Sequence, residues 1–289
     1  MSAGESGTAP ASFGERLDAA IAARGRLCVG IDPHPYLLDS WGLTADAAGV
    51  RSFGLAVVEA AAGRVGIVKP QVAFFEAFGS AGFAALEDVL AAARAAELIV
   101  IGDAKRGDIG STNDGYASAW LTPGSPLEVD ALTVAAYTGV GAFDALFEKA
   151  AAAGKGAFVL SATSNPESRT LQTARTDAGA TVSRLVADEV AARNTDRTRL
   201  GDFGLVLGAT KRLDDYGFTN EAVRALSTTP VLSPGFGFQG AEFSQLSSVF
   251  GPLSPNVIVA VSRSVLQHGA AGLADAIAAD SAHLAAVAR

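Results

Sequence analysis

The chain holds one cysteine, one methionine, two tryptophans and three histidines among 289 residues. A single thiol, Cys28, cannot close an intramolecular disulfide, so the fold must rest on its core and a reducing compartment is expected. Cys28 lies in the apolar run LCVGID, with no basic residue or histidine directly flanking it. It reads as a small buried hydrophobe, since a nucleophilic cysteine needs such a neighbour to lower its pKa. His34, His268 and His283 show no metal-ligand spacing such as HxxxH, so no metal centre is expected. Lysine and arginine total 22 against 30 aspartates and glutamates, a net charge of -8. That balance argues against a nucleic-acid surface, which needs a basic face. A few cations inside a cleft can still set a local field for a small anion. No apolar run approaches the roughly eighteen residues that a membrane span needs. The opening MSAGESGTAPAS has neither a basic region nor an apolar one. Residues 1–11 are therefore expected to be a disordered tail, ahead of one domain over 12–289, in a cytoplasmic protein.

What the chain does have is apolar content, 49% of its residues, enough for a large core. Eight short aliphatic runs recur: LCVGID (27–32), GIVKPQ (66–71), LIVIGDAK (98–105), ALTVAAY (131–137), AFVLSAT (157–163), GLVLGAT (204–210), PVLSPG (230–235) and VIVAVSR (257–263). Each is continuously apolar, as for parallel strands covered on both faces. Between them lie segments with helical spacing, such as GFAALEDVLAAARAAE and AFDALFEKAAAAGK, and a further helix is expected near Phe13. Eight β-then-α units without a long linker predict a closed (β/α)8 barrel of the TIM type, in one domain. An open doubly wound sheet is the competitor, but no strand leads into a convincing GxGxxG turn.

The stretch IVIGDAKRGDIGST (99–112) crowds charges onto the end of the third run. Asp103 and Lys105 are two residues apart, so they share a face of the strand. Asp108 lies just beyond, and Asp32 and Lys69 end two other strands. Strand C-terminal ends carry the active site in such barrels. A single Asp–Lys pair there reads most plainly as an ion pair plugging the barrel. Five charges at three strand ends are a poor stability device, because each must be desolvated. Arg263 ends the eighth run, and the seventh loop, SPGFGFQGAEF, is rich in glycine and carries Gln239 as a donor. Loops after strands 7 and 8 often hold phosphate in barrels, so the pair suggests a phosphate cradle with a mobile lid. His34 follows the first strand and could line the mouth, but reads more plainly as a solvated loop residue. RGD at 106–108 spells an adhesion tripeptide, which would require secretion.

These segments resemble one family. DAKRGDIGST is similar to the D-x-K-x-x-D-I-x-x-T signature of orotidine 5'-phosphate decarboxylases. VGIDP, VKPQVAFFE, SATSNPES, SPGFGFQG and VSRSVL resemble the family's other site segments in the same order. KPQ and TSNP point to its longer bacterial branch. The resemblance implies a cofactor-free, metal-free homodimer that converts orotidine 5'-monophosphate to uridine 5'-monophosphate in pyrimidine synthesis. It implies that Lys105 protonates the carbon losing carbon dioxide, while Asp103 faces the departing carboxylate. Asp32 and Lys69 would hold the ribose, Thr163 and Ser164 the pyrimidine, and Gln239 and Arg263 the phosphate. Pro234, Gly235 and Ser262 would complete the substrate-binding set. Asp108 and Thr112 would reach into the neighbouring subunit's site. One departure is that Ala260 and Val261 stand where related chains often carry an asparagine before the phosphate arginine.

Two other chemistries compete. A metal-dependent sugar-phosphate decarboxylase or synthase of the same barrel type would use Mg²⁺, and should carry an acidic ligand where this chain has Lys69. A Schiff-base aldolase needs a neutral lysine, whereas a lysine between carboxylates is held protonated.

Overall fold

A computed structural model describes residues 10–194 and 196–287. Of the tail expected over residues 1–11, residues 1–9 lie outside the described residues. Eight parallel strands close into a barrel in sequence order: β1 Leu27–Ile31, β2 Ile67–Pro70, β3 Ile99–Arg106, β4 Ala131–Val134, β5 Gly156–Ala162, β6 Phe203–Leu207, β7 Val231–Ser233 and β8 Val257–Val261.

The strands alternate with period two between two apolar clusters. Cys28, Ile67, Ile99, Ile101, Ala131, Phe158, Val206, Leu232 and Ile258 pack together inside the barrel. Their neighbours Leu27, Val29, Val68, Val100, Leu132, Val159, Leu205 and Val259 belong to the outer layer beneath the helices. Burial on both faces is why the runs read as continuous rather than alternating.

The helix expected near Phe13 spans Phe13–Arg24 and starts with a capping box between Ser12 and Glu15. Its Phe13 and Leu17 join the interior cluster, with Phe13 standing edge-on to Phe158 at 6.0 Å between ring centroids. Gly14 donates its backbone N–H to Asp202 Oδ1 at 2.8 Å, just before β6 begins. The helix therefore closes the N-terminal end of the barrel. A side chain at Gly156 would strike the Phe13 ring at 2.4 Å, and one at Gly204 would strike Phe158 at 2.5 Å. With the floor filled, the C-terminal end is left for the site.

Two expectations need correction. Arg263 does not end the last strand: β8 stops at Val261, and Arg263 opens a one-turn helix, Arg263–Leu266. The sixth unit lacks a full helix and carries only 3-10 turns at Leu213–Tyr216 and Ala222–Leu226. Its sequence, TKRLDDYGFTNEAVRALSTTP, is broken by Gly217 and by clustered Asp, Asn and Thr that compete for backbone hydrogen bonds. The helices over Gly79–Ala95 and Asp144–Ala152 fall where the spacing places them.

Candidate active site

A cavity of about 640 Å³ opens at the C-terminal ends of the strands. Asp32, Lys69, Asp103, Lys105, Thr163, Ser164, Pro234, Gly235, Gln239, Ser262 and Arg263 all line it. Asp108 and Thr112 do not.

At its centre one carboxylate sits between two amines. Asp103 Oδ2 accepts from Lys69 Nζ at 2.7 Å, and Oδ1 accepts from Lys105 Nζ at 2.6 Å. Register explains the convergence. Lys69 follows the inward-facing Ile67 by two residues, and Asp103 follows the inward-facing Ile101 by two. Two residues absent from the sequence expectation complete the array. Gln71 donates to Asp103 Oδ2 at 3.2 Å and accepts from Lys105 Nζ at 3.2 Å. Thr133 donates to Asp103 Oδ1 at 3.1 Å and accepts from the Lys105 backbone N–H at 2.9 Å. Both carry a readable signal: Gln71 is two past Lys69, and Thr133 two past the inward Ala131.

The array governs its own ionisation. Burial pushes the Asp103 carboxyl up, but Lys69 and Lys105 outweigh it and hold the group below the usual carboxylate range. Burial pushes Lys69 down, but Asp103 and then Asp32 outweigh it and hold the ammonium above its ordinary value. Directly beneath, burial pushes the Cys28 thiol up to about 12, which fits the inert buried hydrophobe expected.

The turn after β5 is stiffened by side chains. Gln172 accepts from the Thr163 backbone N–H and donates to the Thr163 hydroxyl, both at 2.9 Å. Thr163 in turn donates to Asn165 Oδ1 at 2.8 Å. This fixes the segment carrying Ser164 against the cavity.

Across the mouth, polar atoms stand unpaired. Asp32 Oδ1 and Ser262 Oγ are buried with no hydrogen-bond partner among the described residues. Gly30 makes their approach possible, since a Cβ there would come within 2.9 Å of Ser262 Cβ and 3.2 Å of Asp32 Oδ2. Buried unsatisfied groups in a cleft are expected where a ligand completes them. The Arg263 guanidinium lies beside them under the Phe238 ring, 3.9 Å from its centroid. Ala260 and Val261 also line the cavity, so no amide is supplied from those positions.

His34 departs from expectation. It lines the cavity, half-buried, with its ring 4.3 Å from that of Phe74 and 5.4 Å from that of Tyr36. Burial lowers its pKa, against the pull of Asp32. The His34–Phe74 contact joins the segments that follow β1 and β2, which are far apart in sequence.

Asp108 lies in a braced outer loop, and Thr112 in the helix that follows it. Asn113, buried, accepts from the Asp108 backbone N–H at 3.1 Å and donates to the Asp108 and Ala142 carbonyls, both at 2.7 Å. Thr112 is exposed in the first turn of the helix Ser111–Trp120.

The fold and this array define an α/β-barrel enzyme whose mouth clamps one carboxylate between two lysines. The orotidine 5'-phosphate decarboxylase / HUMPS family matches residues 25–274. An orotidine 5'-phosphate decarboxylase of Salinispora arenicola is 52% identical over 258 residues, covering 89% of this chain and 91% of that protein. A crystal structure from Streptomyces avermitilis superposes with a TM-score of 0.92 at 44% identity, covering 99% of each chain. The structure of Leishmania donovani OMP decarboxylase gives a TM-score of 0.76 at 28% identity, covering 96% of this chain and 98% of its own. The chain belongs to the orotidine 5'-phosphate decarboxylase / HUMPS family. None of the described helices is long and apolar enough to cross a membrane.

Proposed function

We propose that this chain decarboxylates orotidine 5'-monophosphate to uridine 5'-monophosphate, a step of pyrimidine biosynthesis, with Lys105 as the proton donor. The observation that carries the reading is the single carboxylate of Asp103 held between Lys69 and Lys105 at the barrel mouth.

The chemistry needs that arrangement. Breaking the ring-carbon–carboxylate bond sends carbon dioxide away and leaves the electron pair localised on an sp² carbon. The Lys105 ammonium stabilises that developing charge and then delivers a proton to the carbon, taking a replacement from solvent. Asp103, kept ionised by its two lysines, repels a substrate carboxylate brought to 4 Å by about 4 kcal/mol at an effective dielectric near 20. Enzymes lower barriers by about 8–23 kcal/mol, so repulsion is the smaller contribution and carbanion stabilisation the larger. Gln71 and Thr133 hold the array rigid, which reduces the reorganisation needed at the moment of reaction.

Asp32 and Lys69 hold the ribose, Thr163 and Ser164 the pyrimidine. Gln239, Arg263, Ser262 and the Pro234–Gly235 turn hold the phosphate end. No metal or cofactor takes part. A metal-dependent reading would place an acidic ligand where Lys69 stands, and Lys69 is instead bonded to Asp103.

The working unit is a homodimer in the cytoplasm, each site borrowing Asp108 and Thr112 from the partner. The support is that neither residue lines its own subunit's cavity. Beside them Ile109 and Tyr137 leave large apolar side chains exposed, by 62% and 86%, as a surface awaiting cover does.

The test is the absorbance change of orotidine 5'-monophosphate on incubation with purified protein and EDTA. Full activity with chelator is expected. Loss in EDTA with recovery in Mg²⁺ would favour the metal-dependent chemistry instead.

A further inference from the structure

Arg263 stands apart from the other site cations. Lys69 and Lys105 are each bonded to Asp103, whereas no oxygen among the described residues accepts a hydrogen bond from the Arg263 guanidinium. What it does touch is the face of Phe238, 3.9 Å from the ring centroid.

Phe238 is unusual in its own right. It is a large apolar side chain, 58% exposed, at the tip of a loop whose base is firmly anchored. Phe236 at that base is buried, with ring centroids 6.0 Å from Phe243 and 6.5 Å from Phe250. The Gly237 N–H donates to the Ala241 carbonyl at 2.8 Å, closing the loop on itself. Gly237, at φ +69°, presses so near the turn after β8 that a Cβ would lie 3.0 Å from Ser264. That approach, open only to glycine, delivers the next residue's ring over Arg263. Nothing in the apolar core accounts for an exposed ring held there.

We propose that Phe238 is a positioning residue for the phosphate-binding guanidinium, an inference that rests on assigning Arg263 to the phosphate. All five guanidinium N–H donors lie in one plane and point outward from its edge. A ring stacked on the face therefore restrains the group without consuming a donor. A carbonyl or carboxylate partner would hold Arg263 as well, but would compete with the incoming phosphate for the same N–H groups. The aromatic face attracts the cation and leaves the fork free, so less side-chain freedom is lost when phosphate arrives.

The test compares Phe238→Ala, Phe238→Leu and Phe238→Tyr, alone and in an Arg263→Ala background. Readouts are steady-state kinetics with orotidine 5'-monophosphate and binding of uridine 5'-monophosphate and uridine. Phe238→Ala should raise KM and weaken the nucleotide by about two- to fivefold, the range of an exposed cation–π contact. The loss should fall on KM and not kcat, and uridine binding should not change. Phe238→Leu, which keeps bulk but lacks a π face, should behave as Phe238→Ala, and Phe238→Tyr as wild type. In the Arg263→Ala background the Phe238→Ala effect should vanish. Restoration by leucine, or an undiminished effect without Arg263, would overturn the inference while leaving the phosphate assignment intact. If Arg263→Ala weakened uridine as much as its nucleotide, the phosphate assignment would fall and the inference with it.

Discussion

Lys105 reaches Asp103, two residues earlier on its own strand, at 2.6 Å from a backbone with φ +48°. A non-glycine residue in that region carries strain, and such residues gather at functional sites. β3 also shifts register against β4 between Gly102 and Arg106, so the strand kinks where the amine must turn inward. The Thr133 hydroxyl that accepts from the Lys105 N–H braces this kink.

The strain yields a stability prediction independent of activity. Lys105→Gly relieves the positive φ while Lys105→Ala retains it, so the glycine variant should be the more stable of the two by about 1 kcal/mol. Urea denaturation of both variants reads this. An alanine variant as stable as the glycine one would mean that the backbone there is unstrained.

Asp103 gives a pH signature. Its pKa is depressed in the folded state, so its contribution is present above the unfolded value of about 3.9 and is lost as pH falls through the folded value. Lys69 is raised, so its contribution is present below about 10.4 and is lost as pH rises through its folded value. Asp103→Asn leaves Lys69 buried without its main partner and should cost about 3 kcal/mol at neutral pH. The stability gap to wild type should be flat between about pH 5 and 7 and narrow below about pH 4. A gap unchanged down to pH 3 would contradict the ionised, lysine-held carboxylate.

Much of this was legible in the sequence, and the limits are physical. Continuous aliphatic runs reveal strands buried on both faces, and the period of two places Asp103 and Lys105 on one inner face. The same period reaches Gln71 and Thr133, but an amide and a hydroxyl in apolar runs carry no charge to mark them as site residues. The kink at Lys105 and the Phe238–Arg263 stack depend on loops and strands meeting in space, which local patterning does not encode. The missing sixth helix was written in its glycine and its Asp, Asn and Thr residues, and was masked by the regular recurrence of the strands around it.

The shared-site reading of Asp108 predicts complementation. Mixing inactive Asp108→Ala with inactive Lys105→Ala, then unfolding and refolding them together, gives mixed dimers with one doubly damaged and one intact site. Random pairing makes half the dimers mixed, so about a quarter of all sites should recover activity. No recovery across the mixing series, with heterodimers confirmed by native mass spectrometry, would place Asp108 in its own subunit's chemistry.

The central claim is that the Lys105 amine supplies the proton to the carbon that loses carbon dioxide. The direct measurement is turnover of orotidine 5'-monophosphate by Lys105→Ala, alongside calorimetric binding of uridine 5'-monophosphate. The account predicts that turnover is abolished while the barrel stays folded and the nucleotide still binds. Turnover persisting at more than roughly a few per cent of wild type, beyond the contribution general-acid catalysis can lose, would contradict it.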